Sequence, residues 1–428
     1  MPVTLAQASL NAASDLDRNV IDEFRKSSFL LDRLPFDQAV NPAGGGSTLV
    51  YGYTRQITQR TAAFRAFNAE YTPAEVTKAQ YTTNLRPLGG SFQIDRVLAD
   101  VGAISEVAFQ LDQLIKATKA YFADQVINGD SAVTTDGFDG LSKALAGSST
   151  EIGGGPVLDF TAVNTQITAL QVVQRLNAWL GLMDGSPDAL LMNSTAASWF
   201  SLIAALSGQL RSATDAFGRP IATFRDIPII DLGAKAGVSA DVVATYGGTN
   251  EAQTVTITGT PTGGTFTLTF AGQTTAPIAY NAAAAAVVSA LEALSNIATG
   301  EVTASGGALP GTPVVVTFGG TYAGINVPQM TATGALTGGT TPAVAVTTST
   351  PGGTGTGTAA SGLTDIYAVR FGLDGFHGVA VTGSLVKQWL PDFSTAGAVK
   401  TGEVEMGPVA VALKATKAAA VFRNVKVA

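Results

Sequence analysis

With 428 residues, the chain has room for two or three domains with cores of ordinary size. Only 13% of the residues are charged and 46% are hydrophobic, so a lone copy would expose much uncharged surface, which favours burial between subunits. A net charge of −7 argues against a dedicated nucleic-acid binder, and the absence of cysteine excludes disulfides and thiolate metal sites.

The opening ten residues lack the basic n-region of a signal peptide, and no apolar run reaches membrane-spanning length. A soluble cytosolic chain is expected. Residues 9–31 have the spacing of an amphipathic helix, with Leu16, Val20 and Phe24 on one face. After a break at Gly44-Gly45-Gly46, residues 48–66 and 76–98 read as two long extended arms around a polar tip at 68–73. So long and polar a hairpin has little core of its own and should lie on something else. Its basic residues, Arg55, Arg60, Arg65, Lys78 and Arg86, alternate with Tyr, Phe and Thr, a pattern suited to contact with the acids of a neighbouring subunit.

The strongest helical periodicity covers 103–127, and Asn128-Gly129 supplies its stop. A turn-rich stretch with Phe138-Asp139-Gly140 precedes a second helix at 161–183. Then come a buried strand, Ala189–Met192, a helix opening at Asn193 or Ser194, and a buried strand over 224–231. Residues 365–371 and 378–381 resume strand patterning, and 409–427 alternates as a strand should. The fold class is α+β.

Between Lys235 and Arg370 lie 134 residues without one Lys or Arg, rich in Thr, Gly, Val and Ala. This reads as a module inserted into a late loop. Within it, Val255 and Ile257, then Phe266, Leu268 and Phe270, alternate with Thr, and Thr262-Gly263-Gly264 looks like the turn of a hairpin joining them. Asn281 is placed to cap a helix through about Ser295. Strands are expected at 314–318 and near 329–333, and a flexible linker at 352–358. The ending Thr-Leu-Thr-Phe270 echoes Val-Val-Thr-Phe318.

No set of residues has the spacing of a catalytic or metal centre. His377 is the only histidine and no nucleophile elbow accompanies it, so it reads as a structural histidine beside a turn. Gly44-Gly-Gly-Ser-Thr48 lacks the Walker lysine and reads as a hinge. Asp130, Asp136 and Asp139 do not have EF-hand spacing and read as turn carboxylates. Trp179, Trp199 and Trp389 should fill cores or interfaces. No enzyme activity, cofactor or metal is expected.

The order of motifs, Ile-Asn-Gly-Asp130, Phe-Asp-Gly-Leu141, Pro-Asp-Ala-Leu-Leu-Met-Asn193, Phe-Arg-Asp-Ile-Pro-Ile-Ile230, Ile-Tyr-Ala-Val-Arg-Phe-Gly372 and a basic terminal strand, resembles the major capsid proteins of tailed bacteriophages, with their Hong Kong 97-type fold. The resemblance covers about 1–240 and 362–428. It implies an N-arm at 1–45, an extended loop at 46–98, and a peripheral domain at 99–155 and 384–428 with the 103–127 helix as its spine. It further implies an axial domain at 156–245 and 361–383, interrupted by the inserted β-rich α+β domain at 246–360, which resembles Thr/Gly-rich modules of phage structural proteins. The implied function is an icosahedral virion shell, assembled in the host cytoplasm from hexamers and pentamers of one chain. Its implied partners are a portal, scaffolding or decoration proteins, and double-stranded DNA held without sequence specificity. An encapsulin-type compartment shell and a Thr/Gly-rich surface adhesin are the alternatives.

Overall fold

The computed structural model describes residues 29–40, 49–73, 75–101, 106–153, 157–214, 220–355, 360–381 and 386–428. Most of the 9–31 helix and the triple glycine at 44–46 lie outside them; Phe29–Arg33 is helical. The chain is α+β, and three hydrophobic cores organise it.

A ten-stranded sheet separates the first two cores. Its central strands are the apolar runs of the sequence. Ile227–Asp231 pairs parallel with Ala189–Met192, which pairs antiparallel with Ala360–Val369, which pairs with Ala419–Lys426. Each strand is buried on both faces, which is why it reads as continuously hydrophobic. Ala189 and Leu191 enter one core while Leu190 and Met192 enter the other, and Tyr367/Val369 and Ile366/Ala368 divide likewise. The helices Gln166–Leu180 and Ser194–Leu206 cover one face. Asn193 caps the second: its side chain accepts from Ala196 N at 2.8 Å and donates to Val243 O and Thr364 Oγ1.

The other core holds the C-terminal half of the 23-residue helix Glu106–Asn128, packed through Phe122, Val126 and Ile127. Two sequence motifs meet at its end. Gly140 N donates to Gly129 O at 2.8 Å, and a Cβ on Gly129 would stand 2.4 Å from Phe138 O. Lys143 then binds Asp130 at 2.6 Å and Asp139 at 2.9 Å, which accounts for both turn carboxylates. Beside this core a five-stranded sheet is built on the 15-residue strand Val399–Leu413, which pairs with Arg86–Asp95 on one edge and with Phe376–Val381 and Val386–Trp389 on the other.

The third core draws nearly all its residues from 255–330. Two four-stranded sheets and the helix Ala284–Glu292 enclose it. The echoed residues Phe270 and Phe318 stack within it at 5.0 Å.

Several sequence expectations differ from this architecture. The run 224–231 is two strands, Pro220–Phe224 and Ile227–Asp231, joined by Arg225 and Asp226 at φ 52° and 66°. The tight turn escaped notice because it lacks the usual Asn-Gly or Asp-Gly. Ala252–Thr258 and Gly263–Phe270 are not a hairpin: the first pairs with Val314–Phe318 and Ala343–Thr350, the second with Thr331–Thr337. Alternation marks a strand that buries one face, but two strands facing a shared core from opposite sheets show the same alternation. The helix Ala284–Glu292 is capped at Ala283, not Asn281, with no side-chain cap. The expected exit linker includes a strand, Gly353–Gly355, paired to Tyr246–Thr249. The single terminal strand is two, broken at Thr416–Ala418.

Candidate assembly surfaces

The two extended arms pair only over Val50–Gln56 and Lys78–Asn84, from Val50↔Asn84 to Gln56↔Lys78. The base of this hairpin is seated on its own chain. Tyr53 and Tyr81 stack at 5.9 Å, and the Arg55 guanidinium lies 4.3 Å from the Tyr81 ring centre. Arg55 donates to Leu413 O at 2.5 Å and Lys414 O at 2.8 Å, and Tyr53 Oη donates to Leu413 O at 3.1 Å. Tyr51 is buried below them, its hydroxyl 2.7 Å from Asp37 Oδ2.

Beyond Gln56 the picture reverses. All but one of the described residues from 57 to 77 are exposed, and the tip is not merely polar, since Phe64 and Phe67 are 106% and 99% exposed. Arg65 lies 5.5 Å from the Tyr71 ring centre and donates to the carbonyls of Ala66 and Ala69, a small self-made knot.

Of the five basic candidates, the structure therefore uses Arg55 inside the chain. Arg86 also turns inward: it donates to Thr135 O at 3.3 Å, approaches Asp136 to 4.0 Å, and lines a cleft of about 190 Å³ with Tyr121 and Phe138. Arg60, Arg65 and Lys78 are exposed along the outer half of the hairpin. The five are not brought together into one site.

Other apolar side chains stand open on the body. On the edge strand Val386–Trp389 all four residues are exposed, and Leu390, Phe393 and Val399 extend the patch. Ile167 and Leu170 face outward from their helix. Trp179 fills the core as expected, Trp199 is half-buried with Nε1 donating to Val427 O, and Trp389 is exposed. Among the described residues no cluster of His, Asp and Glu could hold a metal ion, and no helix is long and apolar enough to cross a membrane. His377 is the second residue of the strand Phe376–Val381, just after the turn at 372–375, and is fully buried.

A polar cluster not anticipated from the sequence lies where the chain leaves for the third core and returns. Asp365, on the returning strand, accepts from Arg423 Nη1 at 2.9 Å and from the hydroxyl of Tyr246, on the outgoing strand. Arg423 also binds Glu151 and both the hydroxyl and carbonyl of Ser142. Burial disfavours a charged Arg423, but Asp365 and Glu151 outweigh it and raise its proton affinity further. Burial, then the Asp365 carboxylate, raises the Tyr246 and Tyr367 hydroxyls as well. The charged groups of the cluster are spent on one another and on Ser142 and Tyr246, which gives it a structural role. The available signal was a lone charge interrupting each of two apolar strand runs, Asp365 beside Ile366-Tyr367 and Arg423 after Val421-Phe422.

No family model and no curated protein matches the sequence. Among solved structures, the chain is similar to a holo-encapsulin complex from Synechococcus elongatus, at 12% identity and TM-score 0.47, covering 100% of this chain and 97% of that one. It is similar to the capsid of a native GTA particle, at 13% identity and TM-score 0.47, covering 96% and 94%. It is similar also to the capsid of Myoviridae phage XM1, at 10% identity and TM-score 0.45, covering 99% of both chains.

Proposed function

We propose that this chain is a major capsid protein of a tailed bacteriophage, assembling in many copies into a closed shell around double-stranded DNA. The observation that carries the reading is the hairpin: a base pinned to its own body by Arg55, and a projecting tip with two phenylalanines wholly in solvent. A monomeric protein gains nothing from such a tip, whereas a copy seated beneath it buries both rings. The ordered motifs of the sequence and the further apolar patches at 386–399 and on the 166–180 helix agree with it. Electron microscopy of the purified protein tests the reading. Closed shells of uniform size enclosing nuclease-protected DNA are expected; shells filled with enzyme would indicate a compartment, and monodisperse monomers would overturn the proposal.

Within the shell, the exposed Arg60, Arg65 and Lys78 would meet acids of a neighbouring copy, a contact weakened by salt. Portal, scaffolding and decoration proteins would be further partners, and assembly would take place in the host cytoplasm. The segment around the third core would be an inserted domain, 246–360, with the axial domain on either side at 156–245 and 361–383. Thr249 and Gly353 are directly opposite across the neck, so a two-residue Asn-Gly turn can join them. Replacing 250–352 with that turn is expected to leave a soluble chain that still forms particles by electron microscopy. Insolubility of this variant alone would mean that the module is part of the body's core.

The module would sit on the outer face of the shell. It carries no Lys or Arg to screen phosphates, and its half-buried acids, Glu292 and Glu301, would be repelled by enclosed DNA. Limited proteolysis of DNA-filled particles with elastase checks this. Cleavage within 246–360 on intact particles is expected, and cleavage only after the shell is opened would place the module inside.

A further inference from the structure

His377, the only histidine of the chain, is used by nothing described so far. It lies on Phe376–Val381 opposite Ala412, with no exposed surface, and neither ring nitrogen makes a well-formed hydrogen bond within the protein. Tyr51 stands edge-on against it with ring centres 5.9 Å apart. The imidazole is thus part of the floor on which the base of the hairpin rests.

We propose that His377 is a proton-operated latch for the hairpin: neutral, it lets Tyr51 seat, and protonated, it drives the base of the hairpin off the body.

Charged and titratable groups face the ring from four elements. From the strand Phe36–Val40 comes Asp37, already engaged by the Tyr51 hydroxyl at 2.7 Å and by Lys414 Nζ at 3.7 Å. From the hairpin come Tyr51, Tyr53 and Arg55. From the end of the long strand comes Lys414, 5.3 Å from the Tyr51 ring centre. From the preceding turn comes Asp374, bound to Arg370 at 3.0 Å. An imidazolium must donate from both nitrogens, and neither nitrogen has a well-formed partner within the closed seat. Burial and then Lys414 hold the ring's proton affinity below its ordinary value, with the Gly375 backbone, Asp37 and Asp374 opposing in part.

A proton forced onto the ring is relieved by whichever covering element opens most easily. The ring's own strand is the centre of the five-stranded sheet, paired on both sides. The hairpin is a separate two-stranded sheet held by the Tyr51–Asp37 bond and the bonds of Tyr53 and Arg55 to two carbonyls. Two-stranded elements are marginal alone, so the hairpin is what yields.

The sign follows from the closed state binding the proton more weakly than the open one. The seat is fully stable above the ordinary histidine value near 6.5, and it weakens as pH falls below that until the closed form's lower value is reached. The open population should be larger at pH 5.5 than at pH 7.5, by up to about tenfold, the ceiling set by an ordinary histidine in the open form.

The test is hydrogen–deuterium exchange on the full chain at pH 7.5 and 5.5, corrected for intrinsic rates, reading the amides of 50–56 and 78–84. Faster exchange at pH 5.5, by up to about tenfold, is expected in the wild type, reversed on return to pH 7.5, with no change in the amides of Ala189–Met192. His377→Leu and His377→Met, either of which suffices if the other fails to fold, should abolish the pH response while leaving exchange at pH 7.5 slow. A flat wild-type response, or the same rise in a folded variant, overturns the proposal. Should neither variant fold, selectively labelled wild-type protein decides by the titration of its single imidazole. A midpoint well below 6.5 that coincides with hairpin opening supports the latch, and an ordinary midpoint uncoupled from opening overturns it.

Discussion

Particle yield should collapse in a Phe64→Ser/Phe67→Ser chain while the subunit itself stays folded. Both rings are fully exposed in the single chain, so removing them costs the subunit no core. On a neighbouring copy each buried ring contributes about 1.5–3 kcal/mol. Losing both weakens one contact by about 3–6 kcal/mol, or at least a hundredfold in its equilibrium constant. A closed shell repeats that contact in every copy, so the protein concentration needed for assembly should rise beyond reach. Sedimentation would report this as soluble subunits or capsomers in place of particles, with an unchanged melting profile. A shortened chain extends the test. Gln56 and Lys78 are cross-strand partners, so an Asn-Gly turn can replace 57–77 and should give the same result. Normal particles from either variant would show that the tip is not an assembly contact and would remove the main support for the shell reading.

How much of this was legible beforehand follows from where each signal resides. Helices that bury one face announced themselves, and the observed Glu106–Asn128 and Gln166–Leu180 fall within about three residues of expectation or inside it. The N-cap at Asn193 was readable because its side chain acts locally. Partnership between strands was not readable. The 252–258 and 263–270 runs look like hairpin arms, yet they lie in different sheets, because periodicity reports which face is buried and not which edge is paired. The hairpin arms were overextended for a similar reason: Arg86–Asp95 is also extended and follows the second arm after Leu85 alone, but it pairs with the long strand Val399–Leu413, more than 300 residues away in sequence. The basic residues of the hairpin looked equivalent in sequence. Only the geometry separates Arg55, spent on two backbone carbonyls of its own chain, from Arg60 and Lys78, which stand in solvent.

The buried cluster at the neck shows the largest gap between sequence and structure, and it makes the second strong prediction. Asp365→Ala should lower stability by about 3 kcal/mol, because it leaves Arg423 with only Glu151 and Ser142 and leaves the Tyr246 hydroxyl short of its acceptor. At about 2.1 cal/mol/K of unfolding entropy per residue, a chain of 428 residues turns that into a fall in apparent Tm of roughly 3–4 °C, measurable by calorimetry. Arg423→Lys should do little better than Arg423→Ala. The guanidinium serves Glu151, Asp365 and both oxygens of Ser142 at once, and one ammonium cannot span those directions. The paired variant Asp365→Leu/Arg423→Met should recover part of the loss, since the cost of a broken ion pair lies mainly in the orphaned charge. The location gives the measurement a second readout. Tyr246 and Asp365 lie on the strands by which the chain leaves for the third core and returns, so the single variants should also speed amide exchange in Tyr246–Thr249 while leaving the strand Val314–Phe318, inside that core, protected. A Tm within a degree or two of wild type for Asp365→Ala would mean that the pairing at the neck holds without its ionic bonds, and that the cluster fixes the identity of the junction rather than its strength.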